Sequence, residues 1–291
     1  MFSALIPRAQ YKSAGPFPAA LFWRSMKNYY LLGEHLGHSF SAIIHNRLFE
    51  EQNLSACYSL LELPKDAVKS RLELLRSEGG ANVTIPYKRL AAECMDELLG
   101  DARATGCVNT VISSQGRLIG ENTDGAGFMR AIKGWTEDIK GQKALIIGAG
   151  GAAHVIAYKL ALAGAKVHIW ARHNSSELAE KINRFASVKA QAVSSPEGEW
   201  HLAVNATPVG MGVLENFSPI PENAAFKCRF AYDCIYNPRK TLFLLSAEAQ
   251  GAEIQNGLSM LWHQAVKAQE LWGNHFNKDV LEKVWNEVKL L

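Results

Sequence analysis

Residues 143–163 read KALIIGAGGAAHVIAYKLALA. Lys143–Ile147 is apolar apart from its first residue, the mark of a strand buried on both faces. Gly148-Ala149-Gly150-Gly151-Ala152-Ala153 follows at once, and an Ala-rich helical run continues to Ala163. A glycine turn between strand and helix has a defined physical use. The first Gly allows the tight turn, the second lets backbone approach a pyrophosphate, and a small third residue, here Ala153, lets helix pack on strand. Free N–H groups at the helix start, with the helix dipole, hold the anion. The pattern Gly148-x-Gly150-x-x-Ala153 therefore predicts a dinucleotide site on a Rossmann-type unit. A glycine-rich turn that binds nothing is the bland alternative.

The next strand, Lys166–Ala171, selects the dinucleotide. An NAD site usually places Asp or Glu at its end, on the ribose hydroxyls. Here the chain reads Ile169-Trp170-Ala171-Arg172-His173-Asn174, with no acid before Glu177. A guanidinium at Arg172 suits a 2′-phosphate and stacks on adenine, which points to NADP. Further on, Ser176–Phe185 reads as a helix, Leu202–Asn205 and Ala231–Ile235 as strands. Alternation of this kind predicts a parallel, doubly wound sheet. After Gly257 the pattern is wholly helical, through Leu258–Trp272 and Asp279–Leu290.

Toward the N-terminus the alternation repeats. Tyr29–Leu32 is a strand ending at Gly33, and Ser39–Leu54 is a helix with Phe40, Ile43, Ile44 and Leu48 on one face. Cys57–Leu63 is a strand, Pro64 opens a charged helix to about Glu78, and Asn82–Thr84 is a third strand. Val108–Ile112 and Arg117–Gly120 form a hairpin around Ser-Ser-Gln-Gly. The first half is thus β-α-β-α-β with an antiparallel addition. Polar clusters sit at its strand ends, where open α/β sheets bind ligands. His38-Ser39-Phe40-Ser41 opens a helix, and two hydroxyls beside free N–H groups suit a carboxylate. Asn82-Val-Thr84-Ile-Pro86-Tyr-Lys88 has Pro86 opening a helix and Lys88 one turn in. Asn109-Thr110 and Asn122-Thr123-Asp124-Gly125 follow. Alone, Lys88 reads as a solvated helix lysine and Asp124 as a helix N-cap.

Bulk properties exclude several classes. The 291 residues suggest two domains, and a composition of 48% hydrophobic and 20% charged residues excludes disordered and disulfide-scaffold chains. A net charge of +3 is too small, over the whole chain, to argue for nucleic acid or an acidic membrane, and neither is expected as a partner. Residues 1–27 carry Arg8, Lys12, Arg24 and Lys27 and no acid, so the remainder carries −1. That segment reads as an early start before Met26, an organellar transit peptide or a loosely packed arm. The longest charge-free apolar stretches fall short of the ~18 residues of a membrane span. Cys57, Cys94, Cys107, Cys228 and Cys234 contain no CxxC pair, which fits free thiols in a reducing, cytoplasmic compartment. The spacing of His35, His38 and His45 gives no coherent metal-ligand face.

Taken together, these motifs resemble the shikimate dehydrogenase family. Its pattern runs G-x-P-x-x-H-S-x-S-P-x-x-H-N, N-V-T-x-P-x-K, A-V-N-T, N-T-D-G-x-G, G-A-G-G-A, N-A-T-P-x-G-M and N-G-x-x-M-L-x-x-Q. This chain has Gly33 with His38–Ser41 and His45-Asn46, then Asn82–Lys88, Cys107–Thr110 and Asn122–Gly127. Gly148–Ala152, Asn205–Met211 and Asn256–Gln264 complete the series. The order and spacing hold from about residue 28 onward. The resemblance implies an α/β protein with an N-terminal α/β substrate domain and a doubly wound NADP domain. It divides the chain into an extension at 1–27, a substrate domain at 28–124 plus 258–291, and a Rossmann domain at 125–257.

By the same resemblance, Ser39 and Ser41 bind a carboxylate, while Thr84, Asn109, Asp124, Tyr236 and Gln264 contact ring hydroxyls or the carboxylate. Lys88 is the acid/base and Asp124 orients it. Gly148, Ala149, Gly150, Gly151, Ala152, Arg172, Cys234 and Gly257 line the cofactor. The implied reaction is reversible NADP-linked interconversion of shikimate and 3-dehydroshikimate, by a monomer or homodimer with small-molecule partners and no metal. His35, Ala42, Ala171 and Cys234 depart from the pattern without removing a substrate contact. A quinate/shikimate dehydrogenase using NAD, a metabolite-sensing regulator without activity, and a methylene-tetrahydrofolate dehydrogenase-like enzyme are the competing implications. The first lacks its acid after the second cofactor strand, the second is opposed by Lys88 and Asp124, and the third lacks S-x-S.

Overall fold

The computed structural model describes residues 26–291 except His38, Glu137, Ser187 and Val188. The readings placed on residues 1–25 and on His38 lie outside the described residues.

The first lobe strings together β1 (Lys27–Gly33), α1 (Ser41–Glu51), β2 (Ala56–Glu62), α2 (Val68–Leu74), β3 (Gly80–Val83) and α3 (Lys88–Glu93). It continues through β4 (Glu97–Leu98), α4 (Gly100–Thr105), β5 (Thr110–Ser114) and β6 (Arg117–Glu121). The sheet order is β2-β1-β3-β5-β6-β4, with β3, β5 and β6 pairing antiparallel and the other pairs parallel. The hairpin closes in two residues, because Gln115 and Gly116 both take positive φ, 51° and 75°. Such a turn matches the strand twist, so Ser113 and Ser114 extend the strand. Helix α5 (Asp124–Ile132) then leads into the second lobe.

That lobe contains β7 (Lys143–Ile147), α6 (Gly151–Leu162), β8 (Lys166–Trp170), α7 (Ser175–Asn183), β9 (Gln191–Ala192) and β10 (Gly198–Asn205). It closes with β11 (Phe226–Asp233), α8 (Leu242–Ala249) and β12 (Glu253–Gln255). All six strands are parallel, in the order β12-β11-β10-β7-β8-β9. The strand order reverses between β7 and β10, and in open sheets the crevice at that point takes the ligand. Two apolar clusters sandwich this sheet, one built on α6 with Ile146 and Val204, the other on α8 with Leu145 and Ala203.

The chain ends in α9 (Leu258–Leu271) and α10 (Lys278–Val288), which return to the first lobe. Leu258, Trp262, Ala265, Val284 and Val288 share one core with Ile44 and Leu48 of α1. At about 1.5–3 kcal/mol per fully buried aliphatic side chain, this seam fixes both helices. It also explains why the apolar face of α1 differs from the expected one. Ile44, His45, Leu48 and Phe49 point inward while Ile43 is 45% exposed, because the helix is covered from the sheet side and from α9. Pro86 likewise does not open a helix. The Ile85–Pro86 peptide is cis, Tyr87 takes the cap position, and α3 begins at Lys88. Asp124 is the first residue of α5 rather than its N-cap, which is Thr123. No helix of the described residues is long and apolar enough to cross a membrane.

Candidate active site

Lys88 enters the cleft from the first turn of α3, and Asp124 from the first turn of α5. Lys88 Nζ donates to Asp124 Oδ2 at 2.5 Å, with the two side chains only 13% and 10% exposed. The other carboxylate oxygen, Oδ1, accepts from Asn109 Nδ2 at 2.8 Å. Asn109 is itself locked: its Oδ1 accepts from the Thr123 N–H at 2.7 Å and from Thr110 Oγ1 at 2.8 Å. Thr123 Oγ1 then reaches Gln264 Oε1 at 3.4 Å, which ties α9 into the cluster. Every member except Lys88 is buried. A charged group held by hydrogen bonds on both oxygens keeps one orientation, and so keeps the ammonium in one place.

Ser39 and Ser41 stand at the start of α1, whose cap residue, Phe40, offers no side-chain bond. Ser39 Oγ accepts from the Ser41 N–H at 3.3 Å, so one hydroxyl engages the turn while Ser41 is buried beside it. Tyr236 comes from the other lobe, its ring 5.1 Å from that of Phe40. Burial raises the Tyr236 phenol, and hydrogen bonding to the Phe40 backbone and Ser39 partly offsets this. Thr84 is half-buried at the end of β3, anchored by its N–H on Leu32 O at 2.9 Å. Ser39, Ser41 and Tyr236 thus form one group, and Lys88, Asn109, Asp124 and Gln264 another.

The dinucleotide turn follows β7. Gly148 adopts φ +114°, and a Cβ there would also meet Thr207 Cγ2 at 2.9 Å. A side chain at Gly150 would meet nothing within 4 Å, so the turn faces open space. Helix α6 has no side-chain cap and no acid in its first turn, so its dipole is uncompensated. A pyrophosphate fits this end on charge and on room. Gly151 lies against the other lobe, its Cβ position 3.3 Å from Lys88 Cδ. Ala149 and Ala152 are half-buried in the same turn. Arg172 is exposed just beyond β8, without an ion pair among the described residues.

Cys234 follows β11, half-buried, its N–H bonded to Asn205 O at 2.9 Å. Burial pushes its thiol well above the usual range, so it offers no thiolate. Its carbonyl lies hard against the position a Cβ would take on Gly257, where only glycine fits. Burial likewise raises Cys107, whose Sγ is 3.8 Å from the Cβ position of Gly151. His35 is exposed and His45 fully buried.

Sequence reasoning gave no role to Thr123, the hinge between Asn109 and Gln264. No role was given either to Asn205, although the motif Asn205–Met211 begins with it, or to Asp233; both are buried at the ends of β10 and β11. The available signal was a polar residue closing each otherwise apolar strand, Val204-Asn205 and Tyr232-Asp233.

Residues 31–111 match the family model described as shikimate dehydrogenase substrate binding domain. The chain is 37% identical over 269 residues to shikimate dehydrogenase (NADP(+)) of Caldanaerobacter subterraneus subsp. tengcongensis, covering 89% of this chain and 96% of that one. It superposes on shikimate 5-dehydrogenase of Thermus thermophilus, solved with NADP(H) and shikimate, at a TM-score of 0.79 and 34% identity. That match covers 90% of this chain and 100% of the other. The Listeria monocytogenes enzyme, solved with shikimate and NAD, aligns with a TM-score of 0.78 at 31% identity, over 90% and 97% of the two chains.

Proposed function

The chain belongs to the shikimate dehydrogenase family, and from that premise we propose how its residues divide the work. It is an NADP-dependent oxidoreductase acting on a CH–OH group, and its reaction interconverts shikimate and 3-dehydroshikimate. NADP, when bound, accepts or supplies the hydride. Gly148–Ala152 hold its pyrophosphate by backbone N–H groups, Arg172 its 2′-phosphate, and Cys234 and Gly257 flank its other end.

Ser39, Ser41 and Tyr236 fix the substrate carboxylate, while Thr84, Asn109 and Gln264 select its ring hydroxyls. Lys88 gives a proton to the ketone oxygen in reduction and takes it back in oxidation, its charge stabilising the alkoxide that develops. Asp124 holds Lys88 and the reacting hydroxyl in line. One observation carries this reading. The ammonium is gripped by Asp124 while its stem lies on Gly151, so the proton donor of one lobe stands at the anion turn of the other.

The substrate domain is assigned to 28–124 and 258–291, the cofactor domain to 125–257. The enzyme works on small molecules in the cytoplasm as a monomer or homodimer. Shikimate and quinate assayed against NADP and NAD in one panel test the reading. The highest kcat/KM is expected for shikimate with NADP. The NAD arm has force because the Listeria relative was solved with NAD. Quinate with NAD outrunning the other pairs overturns the specificity assignment, and binding without turnover by any pair overturns the enzyme.

A further inference from the structure

Asp233 is a buried carboxylate that the mechanism above does not use. It closes β11 with no solvent exposure, directly beside Asn205, the last residue of β10. Asn205 Nδ2 donates to both of its oxygens at 3.1 Å, the Ile235 N–H to Oδ1 at 2.9 Å, and Thr241 Oγ1 to Oδ2 at 2.6 Å. These partners are all neutral donors. A carboxylate meets them with two acceptor oxygens, whereas an amide would turn an N–H₂ toward Thr241 or Asn205. Those bonds offset part of the cost of burying a charge that has no ion-pair partner among the described residues. Burial pushes the carboxyl up to about 6, against the pull of Thr241, Ile235 and Asn205.

The network reaches two loops. Asn205 Oδ1 accepts from the Thr207 N–H at 3.0 Å and Thr207 Oγ1 at 2.7 Å, and its Nδ2 also donates to Val209 O at 3.0 Å. Thr207 in turn abuts Gly148 of the dinucleotide turn. The second loop begins at Cys234, near enough to Lys88 and Asp124 to feel both charges, and runs on to Tyr236 against Phe40. Its Ile235 O receives the Gly257 N–H at 3.0 Å.

We propose that Asp233 is a positioning residue for the reaction, setting the loops Asn205–Met211 and Cys234–Tyr236 so that dinucleotide and substrate meet at Lys88. The proposal rests on the function assigned above and adds to it a residue remote from the reacting atoms.

Steady-state kinetics of Asp233→Asn, Thr241→Val and Thr241→Ser test it, with shikimate protonated or deuterated at the carbon that loses hydride. In Asp233→Asn and Thr241→Val, kcat is expected to fall on the order of 10–100-fold, as for an ~1 Å misplacement. The deuterium effect on kcat should rise as hydride transfer becomes limiting, and the loss in kcat should exceed any change in the NADP dissociation constant, which the loop at Thr207 beside Gly148 also touches. Thr241→Ser, which restores the hydroxyl, should recover wild-type values. Turnover and isotope effect within twofold of wild type in both Asp233→Asn and Thr241→Val, whatever their melting temperatures, overturn the role of Asp233 alone. Absence of wild-type turnover overturns the assigned function and this role with it. If Asp233→Asn does not fold, the Thr241→Val and Thr241→Ser pair decides by the same criteria.

Discussion

The two walls of the cleft are made of different material. The first-lobe wall is side chains: Lys88, Asp124, Asn109, Thr123 and Gln264 interlock through named atoms, nearly all buried. The second-lobe wall is backbone: the Gly148 turn, the uncapped start of α6, and Gly257 pressed on the Cys234 carbonyl, with Arg172 on an exposed rim. A side-chain wall fails when an identity changes, because its hydrogen bonds are specific. A backbone wall fails when a size changes, because it depends on approach.

Substitutions can break that contrast. The largest effect is expected from Lys88→Ala, an identity change: kcat should drop about 10²–10⁴-fold with KM moving little. Near-full turnover in that variant would place the proton transfer elsewhere. Gly257→Ala adds one methyl to the backbone wall, where it meets the Cys234 carbonyl. It should destabilise the protein by about 1–3 kcal/mol and weaken NADP binding, measured by denaturation with and without NADP. Unchanged stability would mean that the wall yields.

Acid separates the lobes further. His45 lies in the first lobe and His154 on α6, and burial lowers them from 6.5 to about 3 and about 4. Arg89 and Lys181 add to the shift at His154. The unfolded chain therefore binds more protons below pH 6.5, and stability falls with pH by up to about 1.4 kcal/mol per unit per histidine. Asp233 works in the opposite sense: raised from 3.8 to about 6, it gains stability on protonation as pH falls through 6. His263 on α9 is likewise lowered to about 4, by burial and by Arg130, so three histidines against one carboxyl leave a net loss of up to about 2.7 kcal/mol per unit between about pH 6 and 4. Either His45→Gln or His154→Gln should flatten that slope, as read from urea titrations at several pH values. A slope unaltered by both substitutions refutes the assignment.

The smallest effect belongs to an ion pair that spans the lobes. Lys159 of α6 lies 3.2 Å from Asp101 of α4, the side chains 25% and 14% exposed. Lys159→Met should alter stability by less than about 1 kcal/mol, and less still in 1 M salt. A larger, salt-independent loss would show the walls to be locked rather than leaning on each other.

The same contrast governs what could be read beforehand. The backbone wall was legible in residues 143–163, because glycine spacing between strand and helix states its own geometry. β7 spans the expected residues, and α6 stops one residue short of the expected end. Single residues of the side-chain wall were not legible, since Lys88 or Asp124 alone looks like surface. Only the joint motif singled them out. Glycines at 125 and 127 hide α5 from propensity, and the helix stands because Phe128, Ala131 and Ile132 are buried. Asp233 stayed invisible because its meaning lies in Asn205 and Thr241, brought beside it only by parallel strand pairing.

The core shared by α1, α9 and α10 also fixes an order of manufacture. A chain emerging from the ribosome at about 5–20 residues per second folds its domains as units while it lengthens. The second lobe is one unbroken segment whose sheet is finished at Gln255. Ile44 and Leu48 are translated early, yet their partners Leu258, Trp262, Ala265, Val284 and Val288 arrive last. The lobe begun first is thus completed last, and a nascent chain stalled before Leu258 presents that apolar face to chaperones and proteases.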